Sequence, residues 1–276
     1  MRLATSMISG TTVSDAWLRA VTEVPPRHRL YHLVTQITQP GEECPEIRNA
    51  VNWISDQLGY PAIQTVANTI FPHDLAATCT NHEELADRYL AMYDKIQGLD
   101  KANRNGTYFG RLVDYPSPGG SCNQLASLVR KLKVELALAG PKSARYELNI
   151  AQPGDYSDSM DGAACTPTES QACQAASIYA AGQDNSPRGF PCLSFCSFQL
   201  DDGALHMVAH YRHQHLIERG YGNYLGLGHL LSYVSDAVEA EVGALTIVAG
   251  VAVVDAAQYR IYELERRTTS STRSIR

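Results

Sequence analysis

One stretch of closely spaced strand and helix signals, between residues 193 and 254, constrains the fold of this chain most strongly. Residues 193–200 and 204–211 flank the turn Asp201-Asp202-Gly203, and an Asp-Gly pair between such segments predicts a β-hairpin. Residues 244–254 are almost entirely apolar, which is typical of a strand buried on both faces of a sheet. Residues 225–242 have helical character, and Gly243 is a candidate left-handed cap. We therefore expect a sheet with a long helix beside it.

Helix and strand patterns are mixed along the rest of the chain, without an internal repeat or a domain linker. Apolar spacing predicts helices at 14–24, 46–58, 82–96, 123–139 and 256–267, and strands at 28–37 and 145–150, with a polar loop at 152–168. This mixture predicts a single α+β domain over residues 1–267. We expect a disordered polar tail at 268–276.

The composition argues against several classes of function. A net charge of −6 makes a general nucleic-acid surface an unsuitable interpretation, so we expect no nucleic-acid polymer as a partner. The chain has no run of 18 apolar residues and its start does not resemble a signal peptide, so we expect no membrane span. Its seven cysteines are an odd number without paired zinc spacing, which favours free thiols in a reducing cytoplasm.

Three side chains near the hairpin have a clear chemical use. Cys192 precedes the first strand, Arg212 lies at the end of the second, and Asn223 precedes the long helix. A thiolate can add to an electron-poor ring carbon, a guanidinium can hold phosphate, and an amide can read a pyrimidine edge. Each also has a structural interpretation: a small apolar side chain, as we expect for Cys196, a surface ion pair for Arg212, and a turn residue for Asn223.

Four histidines, at positions 206, 210, 213 and 215, raise the question of a metal site. Residues four apart are not neighbours on a strand as they are on a helix, and strand alternation separates His206 and His210 from His213 and His215. The sequence has no cysteine or carboxylate at ligand spacing to complete a site. We therefore predict no metal site.

Four short motifs in this region follow one another in the register of a known family. They are Pro191-Cys192-Leu193, Asp202-Gly203, Tyr211-Arg212-His213 and Tyr221-Gly222-Asn223. They fall without a gap on that family's Pro-Cys-His, Asp-Gly or Asn-Gly, Gln-Arg-Ser and Pro-Phe-Asn motifs. At these residues the chain resembles the thymidylate synthase and pyrimidine nucleotide hydroxymethylase family. Weaker similarities lie at 106–112, to Tyr-Gly-x-x-Trp, and at 142–145, to Ser-Arg-Arg, and low identity indicates a divergent member.

The resemblance implies a single thymidylate synthase-like α+β domain, in which a mixed sheet packs with helices and forms a homodimer. It implies transfer of a methyl or hydroxymethyl unit from 5,10-methylenetetrahydrofolate to C5 of a pyrimidine nucleotide, through a Cys192 adduct at C6. Arg212 and Arg145 would hold the substrate phosphate, Arg145 from across the dimer. His213, in place of the family serine, would assist them, and Asn223 would favour a uracil edge.

Several positions differ from the family pattern and leave alternatives open. The histidine after the nucleophile is absent, and His215 replaces a family aspartate. The segment 250–255 lacks the family's histidine and tyrosine, and we retain only its final residue, Asp255, as a substrate-binding candidate. The family's catalytic acid has no clear equivalent, and Asp74 is our candidate for it. The alternatives are a nucleotide-binding protein without turnover and a folate-dependent hydroxymethyl transferase acting on a non-nucleotide acceptor.

Overall fold

The structure is a computed structural model that describes residues 6–24, 29–99, 103, 106–117, 120–138, 146–150 and 191–272. Its strands are β1 (Ser6–Thr12), β2 (Arg29–Gln39), β3 (Tyr115–Ser117), β4 (Gly120–Cys122), β5 (Glu147–Asn149), β6 (Leu193–Asp201), β7 (Ala204–His215) and β8 (Glu241–Val253). Within the described residues, six strands form one mixed sheet with the order β1-β2-β8-β7-β6-β5, and β3 pairs with β4 in a separate hairpin. The α+β class is therefore confirmed.

The helices alternate with these strands along the chain. They are α1 (Val13–Glu23), α2 (Pro45–Leu58), α3 (Ile63–Ile70), α4 (His73–Ala76), α5 (His82–Ala91), α6 (Tyr93–Leu99), α7 (Tyr108–Val113), α8 (Gln124–Leu136), α9 (Tyr221–Val238) and α10 (Gln258–Thr272). A π-helical turn at Leu216–Gly220, called the π-turn below, joins β7 to α9. None of the described helices has both the length and the apolar character needed to cross a membrane.

The hairpin and the apolar strand are confirmed. β6 and β7 are antiparallel, and the turn between them places Asp202 and Gly203 at φ values of 45° and 82°. The apolar segment forms β8, which is parallel to β7 and antiparallel to β2, so it lies inside the sheet. β1, parallel to β2, was not predicted.

Three predicted boundaries are wrong. The helix expected at 82–96 is divided into α5 and α6 at Met92, whose φ and ψ are −104° and 2°. The long helix begins at Tyr221, so Asn223 lies within its first turn instead of in a turn before it. The helix ends where Glu239 adopts the left-handed conformation with φ 59°, and the predicted cap, Gly243, is part of β8.

The polar C-terminal segment also differs from the prediction. Helix α10 continues to Thr272, beyond the predicted end of the helix at residue 267. Thr268 is buried, and its hydroxyl donates to the backbone carbonyl of Leu264 at 3.1 Å. Packing of this helix on α2 includes Arg267, whose guanidinium lies 3.9 Å from the centroid of the Trp53 ring. Tertiary contacts therefore extend the helix beyond the point where composition suggested its end.

One face of the sheet forms the centre of the core. Thr35, Ile247, Ala209 and Cys196 lie side by side on β2, β8, β7 and β6, and all four are buried. Helices α1 and α9 pack on this side, and the Tyr224 hydroxyl of α9 donates to the Thr35 hydroxyl at 3.3 Å. Helix α3 packs in turn against α9. The core is therefore a sheet covered by two layers of helix.

The opposite face of the sheet is only half-buried. Because side chains alternate along a strand, the residues next to the buried row point to this face. We call it the open sheet face, and its two central rows are Val34, Val248, His210 and Phe195, and Gln36, Thr246, Val208 and Ser197. At its edge on β1, Met7 is 74% exposed.

Four neighbouring strands, β2, β8, β7 and β6, share a band across the sheet in which the strand geometry is irregular. His32 in β2 has a φ of 57°, and it lies at the level of Gly250 in β8 and Arg212 in β7. The pairing of β6 with β7 shifts register between Leu193 and Phe195 at the same level. Such irregularities re-aim side chains and are frequent beside active sites. Arg212, and Cys192 just before β6, lie in this irregular part of the sheet, and both belong to the sequence motifs described above.

Close packing of α3 on α9 should make Gly226 intolerant of a side chain. A Cβ added at Gly226 would lie 2.6 Å from the backbone oxygen of Ala67, so the backbone would have to move. We expect Gly226→Ala to reduce the free energy of unfolding by about 1–3 kcal/mol, measured by urea denaturation. Gly98→Ala in α6 is the control, because no atom lies within 4 Å of its added Cβ, and it should be neutral or stabilising. Equal stability of the two variants would contradict this packing.

Candidate active site

Cys192 and Arg212 are held together where β6 begins. The backbone N–H of Arg212 donates to the carbonyl of Cys192 at 2.8 Å, and the Arg212 side chain donates through Nη1 to the carbonyl of Pro191 at 2.5 Å. The first bond continues the β6–β7 pairing to the residue before β6, and the second fixes the segment that carries the thiol. The structure therefore brings together the predicted nucleophile and the predicted phosphate ligand.

The environment of the Cys192 thiol opposes its ionisation. Burial is the largest influence and raises the pKa of Cys192, while Arg219 and then Arg212 act to lower it, and Glu218 acts to raise it. The two arginines lower this pKa only in part, because desolvation outweighs them. At neutral pH the thiol is therefore mostly protonated in the unliganded protein.

Tyr108, at the start of α7, places a phenol beside the same thiol. Burial raises the pKa of Tyr108 to about 12, the Cys192 thiol acts in the same direction, and the backbone at Leu193 and Cys192 acts to lower it. Thr107 starts the helix by accepting the N–H of Gly110 at 3.0 Å. This segment is similar to a family motif, but no role for Tyr108 was predicted from it. An enclosed phenol next to a nucleophile is a candidate for proton transfer.

The π-turn supplies a second cation and a carboxylate. The Nε of Arg219 lies 3.2 Å from Oε1 of Glu218, and both residues influence the pKa of Cys192. The turn is anchored at its start, where the indole N–H of Trp17 donates to the carbonyl of Leu216 at 2.6 Å. Sequence reasoning missed both charged residues, because a π-turn has no local signature. The single available signal was a pair of opposite charges between a strand and a helix.

Asp255 holds the π-turn in place. Its carboxylate accepts the backbone N–H groups of Ile217 and Glu218 at 2.9 and 3.1 Å, and its own carbonyl accepts the Tyr60 hydroxyl at 2.7 Å. Burial, the largest influence, raises the pKa of Asp255. The predicted substrate ligand is therefore part of the site, where it positions the residues of the turn.

His213 and His215 lie against the same carboxylate. Their rings stack with centroids 4.6 Å apart, and burial is the main cause that lowers the pKa of His213. Nδ1 of His215 lies 3.7 Å from Oδ2 of Asp255. No carboxylate was expected at ligand spacing to these histidines. The π-turn and the end of β8 bring Glu218 and Asp255 to His215, so that premise was wrong.

The structure does not bring every predicted site residue to Cys192. Asp74 is exposed on α4, and its charge acts on His229, whose ring stacks with that of His73 at 4.2 Å. His229 lies six residues beyond Asn223 on α9, about two helical turns away from the π-turn. The role of Asp74 as the catalytic acid remains a prediction, and Glu218 is a carboxylate whose charge acts on the Cys192 thiol.

Two other predicted residues have different outcomes. Asn223 is buried in the first turn of α9, four residues after Arg219. Arg145 lies outside the described residues, as do the predicted loop at 152–168 and the other residues of the 142–145 motif. The role of Asn223 in base recognition and that of Arg145 in phosphate binding remain predictions.

Comparison with known protein families finds no family model that matches the chain, and comparison with curated proteins finds no significant match. The resemblance therefore rests on the motifs quoted above. Function has to be inferred from the chemistry of the residues around Cys192.

The balance of burial and charge at Cys192 predicts how its reactivity depends on pH. Because the thiolate is the reactive form, alkylation by iodoacetamide should rise with pH through a midpoint above the ordinary thiol pKa. Arg219→Gln should raise this midpoint and slow alkylation at neutral pH, while Arg130→Gln on α8 should not. Peptide mapping by mass spectrometry separates Cys192 from Cys196, whose pKa burial raises to about 12. A midpoint below the ordinary value, or an unchanged profile for Arg219→Gln, would contradict this account.

Proposed function

We propose that the protein transfers a one-carbon unit to C5 of a pyrimidine nucleotide, through a covalent adduct between Cys192 and C6 of the ring. The observation that carries this proposal is the convergence of one thiol, two guanidinium groups and an enclosed phenol: Cys192, Arg212, Arg219 and Tyr108. A nucleophile with neighbouring cations suits a substrate that is both electrophilic and anionic. A pyrimidine nucleotide has both properties.

The chemistry assigns a task to each of these side chains. Addition of the Cys192 thiolate to C6 forms a C–S bond and moves the electron pair of the C5–C6 double bond towards C5 and the O4 carbonyl. C5 then accepts the one-carbon unit and loses its proton, and the C–S bond breaks later with return of its electron pair to sulfur. Tyr108 and Glu218 are the described groups beside the thiol that can accept and donate these protons.

The one-carbon donor implied by the resemblance is 5,10-methylenetetrahydrofolate, which supplies a carbon at the oxidation level of formaldehyde. One edge of its ring presents an N–H and an amino group, and a carboxylate can accept both. Glu218, beside the thiol, fits this need. If tetrahydrofolate supplies hydride as the terminal nucleophile and is itself oxidised to dihydrofolate, the product carries a methyl group; with water it carries a hydroxymethyl group.

Recognition of the nucleotide would divide between phosphate and base. A guanidinium has five donors, so Arg212 can hold the Pro191 carbonyl and a phosphate oxygen together. His213 would add a donor, and Arg145 would contribute from a second copy of the chain. Asn223 would read the O4 and N3 edge of uracil. The described cysteines are free thiols, which suits a reducing compartment such as the cytoplasm.

A second candidate function is nucleotide binding without turnover. The observation that favours it is the raised pKa of the Cys192 thiol, because a protonated thiol is a poor nucleophile. Phosphate binding would not relieve this effect, since an anion beside the thiol raises the pKa further. Exchange at C5 distinguishes the two functions, because it requires the adduct and not the folate.

The adduct predicts release of tritium from uridine or deoxyuridine monophosphate labelled at C5. We expect the wild-type protein to release tritium without folate, because addition at C6 makes C5 exchangeable. Cys192→Ala should abolish the release while retaining nucleotide affinity, measured by calorimetry, and Cys79→Ala, on a different part of the surface, should behave as wild type. Undiminished release by Cys192→Ala would refute the covalent mechanism. Nucleotide binding by the wild type without any release would favour the second function.

We also propose that the protein is a homodimer in which each copy covers the open sheet face of the other. The centre of this face combines aliphatic Val34, Val208 and Val248 with Phe195 and His210, all half-buried in the single chain. Apolar residues grouped on a flat sheet favour a partner of the same shape. A second copy is also the source from which Arg145 would reach the phosphate.

The dimer predicts the effect of a charge at the centre of the open sheet face. Val248→Lys should convert the dimer to a monomer in sedimentation velocity, because a buried unpaired ammonium is costly. Gln57→Lys, at an exposed position of α2, should leave the dimer intact. A monomeric wild-type protein would contradict the proposal, as would a Val248→Lys variant that sediments as a dimer.

A further inference from the structure

Three side chains with metal-binding atoms meet where β7 ends. His215 is the last residue of β7, Glu218 lies in the π-turn, and Asp255 follows β8. One ligand atom from each lies within 4.8 Å of the other two, and all three residues are half-buried. Imidazole with two carboxylates is a ligand set that first-row divalent ions accept.

The geometry at Nδ1 of His215 suits a shared ion better than a hydrogen bond. This nitrogen is screened from solvent and has no hydrogen-bond partner among the residues that the structure describes. Its distance of 3.7 Å from Oδ2 of Asp255 exceeds the roughly 3.2 Å limit of a good N–H···O bond. Two atoms bound tetrahedrally to one ion at about 2.1 Å lie about 3.4 Å apart. The observed separation is close to that value.

The ligand atoms are also held in place by neighbouring groups. Each oxygen of Asp255 accepts one backbone N–H, from Ile217 or Glu218, and retains a lone pair for an ion. The ring of His213 stacks on that of His215 and limits its rotation. Arg219 lies against Glu218 at 3.2 Å. Support of this kind orients the ligands of metal sites.

We propose that His215, Glu218 and Asp255 bind a divalent first-row cation, with a coordination position left for water or a substrate oxygen. The two carboxylates balance the charge of the ion, and the imidazole selects against magnesium and calcium. This inference goes beyond the proposed one-carbon transfer and does not rest on it. An ion here would compete with folate for Glu218, so the test contains neither folate nor nucleotide.

The test is titration of the metal-free protein with Mn²⁺, followed by the electron paramagnetic resonance signal of the free ion. Manganese prefers oxygen and imidazole ligands to thiolates, so the seven cysteines do not compete. We expect one site in the wild type. Loss of an outer-shell partner weakens metal sites by about 10–100-fold, so His215→Gln and Glu218→Gln should each cost on the order of tenfold or more.

The matched control is His210→Gln, which removes a histidine from the same strand that is not one of the three proposed ligands. It should leave the Mn²⁺ affinity unchanged, and melting temperatures verify that each variant is folded. If His215→Gln does not fold, Glu218→Gln decides, because Glu218 is partly exposed. The proposal would be overturned if the wild type did not bind Mn²⁺, or if folded His215→Gln and Glu218→Gln variants bound it as tightly as the wild type. An equal loss of affinity in His210→Gln would also overturn it.

Discussion

The pairing of β8 with β7 on one side and β2 on the other is the constraint on which the site depends. This double register aligns His32, Gly250 and Arg212 at one level of the sheet. A Cβ at Gly250 would lie 3.0 Å from the Arg212 carbonyl, so the strands approach closely there. A slip by one residue would reverse every side chain of β7 and turn Arg212 away from Pro191. The sheet register therefore determines where the thiol and the arginine meet.

Burial and charge have opposite effects on the pKa of the Cys192 thiol. Desolvation raises the pKa of the Cys192 thiol, while two guanidinium groups from separate elements oppose it. The second guanidinium, Arg219, is beside the thiol because Asp255 fixes the π-turn through two backbone N–H bonds. One carboxylate after β8 thus determines the position of a cation near β6. This arrangement also brings Glu218 close to His215. The spacing of residues within β7 alone could not place them together.

Sequence patterns predicted much of the architecture and part of the site. The Asp202-Gly203 turn and the apolar run of β8 were recognisable because turn chemistry and strand burial leave local signals. Cys192 and Arg212, each singled out in the sequence, meet because a hairpin places the start of one strand opposite the end of the next. The place of Asp74 could not be deduced from the sequence, because the position of α4 depends on its packing against α9. Gly243 was wrong as a cap because Glu239 adopts the left-handed conformation first.

Local periodicity and turn residues are thus sufficient for the hairpin, the central strand and most helices, because each depends on neighbours a few residues away. The arrangement of polar side chains around Cys192 has a different origin. Tyr108, Arg219 and Asp255 are far from Cys192 along the chain, and no local periodicity links their positions. These residues come together near Cys192 because helix packing and the register of the sheet bring distant parts of the chain into contact. The balance between desolvation and charge at Cys192 follows from this folded arrangement and cannot be deduced from the motif.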